Sequence, residues 1–165
     1  MRSRVWKVVL LGAVVVASQS LAISAEPKAP AAKADGAFKK MLAPVVLKDG
    51  DSFVFLGDSI THQCLYTQYI EDFYYTRCPK LRIHFHNAGI GGDRAADALA
   101  RFDGDVAVHK PRYVTILLGM NDGSYRDFDK AIFDAYQKDM TELLDRLAKI
   151  GAVAIPMTPT MHDSR

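Results

Sequence analysis

The sequence predicts an α/β sandwich built on a parallel sheet, and three observations carry that expectation. Four short apolar segments, at 52–56, 81–85, 113–118 and 152–157, are only five or six residues long and rich in Val, Ile, Leu or Phe. Near-continuous apolar runs of this length suit strands covered on both faces. Helical periodicity fills the intervals between them, and polar or Gly-rich turns follow the strands. Strand alternating with helix in this way defines the layered α/β class, whose functional groups gather at the carboxyl ends of the strands.

Taken in order along the 165 residues, the first 25 stand apart. Arg2, Arg4 and Lys7 precede an apolar stretch at 8–17, and small residues follow at Ala22, Ser24 and Ala25. That is the layout of a secretory signal peptide, too short to span a bilayer comfortably. The expectation is export to the periplasm or exterior, the alternative being an uncleaved N-terminal anchor; no membrane span remains after cleavage. Losing this segment removes three positive charges and takes the formal net charge from +2 to −1. A mature chain of that charge, with no Lys/Arg stripe, has no electrostatic reason to seek nucleic acid. Residues 26–37, EPKAPAAKADGA, read as a solvated linker. The domain is expected over 38–165.

The first strand leads into a helix in which Leu65, Tyr69 and Phe73 recur every four residues, closed by Arg77-Cys78-Pro79. Ala95, Ala98, Leu99 and Phe102 mark a shorter helix after the second strand, broken near Gly104. Phe133, Tyr136, Met140, Leu143 and Leu147 form a long stripe ending at Gly151, a suitable helix stop. All three stripes are expected to face the core. Cys64 and Cys78 flank the first of these helices. At about 1.5 Å per residue they stand about 21 Å apart, too far for a disulfide.

Polar clusters sit near three strand ends: Gly57-Asp58-Ser59, then Asn87 to Asp93, then Gly119 to Asp122. In a parallel sheet such turns share one rim. The residue types suit acyl transfer. A serine attacking an ester carbonyl generates an oxyanion, which a Gly N–H and an Asn carboxamide can stabilise. Ser59, Gly92 and Asn121 are the candidates, with Asp58 and Asp122 expected to orient turns and backbone. The competing reading of Ser59 is a helix N-cap, that of Gly92 a permissive turn residue and that of Asn121 a local turn cap. The motifs G-x-S-x-G and G-x-G-x-x-G both fail, since Thr61 and Arg94 stand where glycine is required. His84 and His86 share a strand face but lack a matching acidic cluster, so metal binding is not expected; His62 and His109 read as surface or packing residues.

GDSIT, NAGIGGD and GMND, about 30 residues apart, resemble the first three sequence blocks of the SGNH (GDSL-type) esterase/lipase superfamily. The resemblance spans roughly 50–160 and implies a flavodoxin-like three-layer α/β/α sandwich. It implies Ser59 as nucleophile, with Gly92, Asn121 and the N–H of Ser59 forming the oxyanion hole, and no metal or organic cofactor. Substrates would be ester-linked acyl groups, with acetyl groups on carbohydrate as one class. A serine at its ordinary pKa needs a general base, usually His held by a carboxylate. The family takes both from a D-x-x-H block after a fifth strand, and no such block occurs here. His162-Asp163 has the reversed order and follows the fourth strand directly. The expectation is a fragment whose sheet is truncated after the fourth strand, with little turnover on its own and an uncovered sheet edge at the fourth strand. Two other readings stay open: a non-catalytic carbohydrate- or ligand-binding module on the same fold, and a flavodoxin-like nucleotide binder.

Overall fold

The computed structural model describes residues 45–159. The expected leader, the linker, the first residues of the expected domain and the His162-Asp163 pair lie outside the described residues.

A four-stranded, all-parallel sheet forms the middle layer, in the order β2-β1-β3-β4. Its strands are β1 (Ser52–Gly57), β2 (His84–Gly89), β3 (Tyr113–Leu117) and β4 (Val153–Pro156). The central strands are buried nearly throughout, which is why both read as unbroken apolar runs. Alternation then divides their side chains between two cores. Val54, Leu56, Val114 and Ile116 face one way, against Ala95, Ala98, Phe102, Leu143 and Leu147. Phe53, Phe55 and Tyr113 face the other, against Ile83, Tyr66, Ile70 and Tyr74. Helices therefore cover both faces.

The connections are α1 (Ser59–His62), α2 (Leu65–Arg77), α3 (Ala95–Ala100), α4 (Phe102–Asp105), a 3-10 turn (Ala107–His109) and α5 (Lys130–Lys149). Asp129 caps α5 by accepting from the N–H groups of Ala131 and Ile132. At its far end Ala152 N–H donates to Leu147 C=O at 3.0 Å and Gly151 N–H to Ala148 C=O at 3.1 Å. These paired bonds satisfy the last carbonyls and turn the chain into β4.

Two expectations need correcting. The second strand runs over His84–Gly89, several residues later than 81–85. As an edge strand it pairs, among the described residues, with β1 alone, so polar and small residues at 86–89 can continue the ladder. Asn87 and Gly89 thus lie within the strand rather than in the turn after it. The stripe on α2 is also reversed. Leu65, Tyr69 and Phe73 are 66%, 78% and 55% exposed, while Tyr66, Ile70 and Tyr74 pack on the sheet. Both faces of this helix carry apolar residues at four-residue spacing, so periodicity alone could not choose between them. On α5, Leu143 and Leu147 are fully buried, but Phe133 at the opposite end stays half exposed.

Cys64 and Cys78 flank α2 and are unbridged. At the sheet edge, β4 leaves Val153 half exposed, and no strand pairs with its outer side among the described residues.

Candidate active site

The rim of the sheet is set by register: Gly57, at the end of β1, lies opposite Gly89 on β2 and Leu117 on β3. The three polar clusters leave from this rim. From β1 the chain passes through Asp58 directly into α1. Asp58 is the N-cap, accepting from Ile60 N–H at 2.9 Å, and is 2% exposed. Such a cap contributes about 1 kcal/mol. Ser59 is therefore the first helical residue, not the cap, and among the described residues no side chain hydrogen-bonds its hydroxyl.

The helix is pressed onto the end of β2. Asn87 uses its whole carboxamide as a clasp. Its Nδ2 donates to Thr61 C=O at 2.7 Å and reaches Thr67 Oγ1 at 3.3 Å, while its Oδ1 accepts from Gly89 N–H at 2.9 Å. His62 Nδ1 lies 3.0 Å from Gly89 C=O. This contact turns the ring towards the strand end. A role for Asn87 could have been suspected from its place in NAGIGGD, but its partners come from α1 and α2 and no local pattern names them.

Beyond β2, Ile90 N–H donates back to Gly57 C=O at 3.0 Å and Asp93 N–H to Ile90 C=O at 3.2 Å. Between them Gly92 takes φ +86°, a left-handed conformation that costs an L-residue on the order of 1 kcal/mol or more. A Cβ there would meet nothing, so the requirement for glycine at this site comes from the backbone and not from space.

Asn121 reaches this turn from β3. Its Nδ2 donates to Asp93 C=O at 2.9 Å and its Oδ1 accepts from Tyr125 Oη at 3.0 Å. These two bonds fix which way the amide faces, and only one of its two N–H groups is used by Asp93. Tyr125 holds this position at φ +53°, as does Ser124 before it. Consecutive left-handed residues without glycine are strained, and no sequence rule would have selected Tyr125. Asp122 accepts from Ala95 N–H at 3.0 Å, anchoring the start of α3. Burial pushes its carboxyl pKa up, against hydrogen bonds that lower it, and its Oδ2 is buried with no hydrogen-bond partner among the described residues. A cavity of about 270 Å³ opens beside this loop, lined by Gly119, Asp122, Phe128, Ile132, Phe133 and Tyr136 among others.

Below the rim lies a group that sequence reasoning missed. Asp93, 7% exposed, pairs with Arg101 at 2.7 Å, their side chains 11% and 15% exposed. Arg101 also donates to Ala88 C=O at 2.7 Å, to Gly57 C=O at 3.4 Å and to Asp105 at 3.1 Å.

The other described histidines, His84, His86 and His109, stand at the other end of the sheet. His84 opens β2, and the rings of His86 and His109 stack at 3.7 Å with 19° between planes. Burial lowers the His86 pKa from its ordinary 6.5, and His109 and His84 lower it further. The unfolded chain thus binds this proton more tightly. The stability contribution is complete above about pH 6.5, the unfolded value, and is lost as pH falls below it through the lowered folded pKa. His86→Gln should therefore shrink the loss of Tm between about pH 7.5 and 5.5; equal losses in variant and parent would remove His86 as the cause.

Fold and rim together describe a flavodoxin-like α/β scaffold with a serine, a glycine turn and an asparagine at successive strand ends. The chain belongs to the GDSL-like Lipase/Acylhydrolase family, which it matches over residues 55–165. It is 29% identical over 133 residues to an acetylxylan esterase from Geobacillus stearothermophilus, covering 67% of this chain and 60% of that one. The crystal structure of Axe2, an acetylxylan esterase from the same organism, superposes with a TM-score of 0.60 at 28% identity, covering 68% and 61% of the two chains. A gut microbial diltiazem-metabolizing enzyme gives 0.62 at 32% identity, over 67% of this chain and 27% of that one. The chain thus spans about three-fifths of the length of the curated relative.

Proposed function

We propose that the protein is an exported serine ester hydrolase that removes acetyl or similarly small acyl groups from carbohydrate. Ser59 attacks the ester carbonyl; the N–H of Gly92, the free N–H of Asn121 and the N–H of Ser59 receive the oxyanion. The tetrahedral intermediate collapses with loss of the sugar alcohol, and water then releases the acyl group from Ser59. The observation that carries this reading is the direct bond from Asn121 to the Gly92-Asp93 turn, which joins two of the proposed donors. Membership of the acylhydrolase family supports the reaction class. Likeness to an acetylxylan esterase supports the substrate class, and the catalytic mutants of Axe2 are single substitutions of a serine, an aspartate and a histidine.

The general base of this reading lies outside residues 45–159. His62 faces Gly89, and the other described histidines belong to the opposite rim. The same observation favours a second reading, a carbohydrate-binding module that keeps the fold without the chemistry.

One assay separates them. Acetylated xylo-oligosaccharides are offered to the product of the whole reading frame and to its Ser59→Ala variant, and acetate is measured. The esterase reading expects release that falls by about three or more orders of magnitude in the variant. Binding of the oligosaccharide without release would establish the module instead, and release that survives Ser59→Ala would remove Ser59 as nucleophile.

A further inference from the structure

We propose that Arg101 is the positioning residue of this site, and that it sets the two oxyanion donors against the strand that carries Ser59. The inference rests on the esterase reading for its purpose, but its geometry stands independently. The guanidinium is planar and offers five N–H groups in a fixed fork. Arg101 spends them on four partners. Nε donates to Asp93 Oδ2, Nη1 to Asp105 Oδ2, and Nη2 to both Ala88 C=O and Gly57 C=O.

Each partner leads to a different part of the proposed machinery. Gly57 ends β1, two residues before Ser59. Ala88 lies near the end of β2, which leads into the Gly92 turn. Asp93 follows Gly92 directly, and its carbonyl is the group that Asn121 grips at 2.9 Å. One side chain thus fastens β1, β2 and the turn together, and through Asp93 it fixes the surface on which Asn121 rests. Neither the Arg nor the Asp faces substrate, since both are nearly buried. Arg101 acts through Gly92 and Asn121.

Charge alone would not do this. A buried pair is costly to desolvate and is weak evidence for stability in itself. What the fork adds is direction: two carbonyls on adjacent strands and two carboxylates are held at fixed angles. A lysine could pair with Asp93 but could not hold the strand-end carbonyls as well.

The test is spectroscopic and uses the 165-residue chain, so it needs no turnover. Amide exchange and chemical shifts are recorded for Gly92, Asp93 and the Asn121 carboxamide, with the Ile116 and Leu147 amides as reporters of global opening. In Arg101→Met the Asp93 amide, which donates to Ile90 C=O, should exchange at least ten times faster relative to those reporters, and the Gly92 and Asn121 signals should move. Uniform loss of protection would reduce Arg101 to a general stabiliser and overturn the proposal, as would unmoved Gly92 and Asn121 signals. Arg101→Lys keeps the charge and serves if the methionine variant does not fold. It should still displace the Gly92 and Asn121 signals, and a wild-type spectrum would overturn the role of the fork. Failure of the whole gene product to release acetate would sink the esterase reading, yet leave these spectra to decide on Arg101.

Discussion

Gly89→Ala should destabilise the domain by roughly 3 kcal/mol or more, lowering Tm by on the order of 10 °C. The methyl group would stand 2.7 Å from the carbonyl carbon of Thr61 and closer still to the amide nitrogen of His62. Both are backbone atoms, so no side-chain rotation relieves the clash. Either α1 lifts from β2 or β2 leaves the ladder. Lifting α1 would also stretch the bonds from Asn87 to Thr61 C=O and from His62 to Gly89 C=O. A matched control is Gly104→Ala on α4, where an added methyl meets nothing within 4 Å. That change should be neutral or stabilising by about 0.5–1 kcal/mol. Thermal unfolding of both variants decides the matter; equal Tm values would mean that the approach of α1 to β2 is not tight.

The second large effect concerns rate. Asn121→Ala in the product of the whole reading frame should lower kcat by about a hundred- to a thousandfold, equivalent to about 3–4 kcal/mol of transition-state stabilisation. KM should change little, because a donor aimed at an oxyanion does most for charge that develops only during attack. The size of the loss follows from fixed geometry. Tyr125 and Asp93 hold both ends of the carboxamide, so its unused N–H needs no reorganisation when the charge appears. A variant with raised KM and intact kcat would show that Asn121 binds substrate instead.

How much of this was legible in the sequence depends on which elements are local. β1 and β3 are central strands, buried on both faces, and their apolar runs marked them within a residue or so. The long α5 announced itself through Leu143, Leu147 and the stop at Gly151. The edge strand β2 was misplaced because an edge position tolerates the polar His84, His86 and Asn87, one side of its ladder being unpaired among the described residues. The exposed stripe on α2 misled because both of its faces carry large apolar side chains. At the candidate site, Ser59, Gly92 and Asn121 could be named as candidates from their positions after strands. Asn87, Arg101 and Tyr125 were not, since their partners come from distant segments: Arg101 joins residues 44 and 13 positions away.

That Asp58, and not its neighbour, caps α1 separates two kinds of selection at the rim. The hydroxyl at position 59 carries no architectural duty, so sequence change there can be judged by chemistry alone. On the esterase reading, a lineage could discard or replace that hydroxyl without first rebuilding the scaffold, and ligand-holding descendants would then lie one substitution away from hydrolytic ancestors.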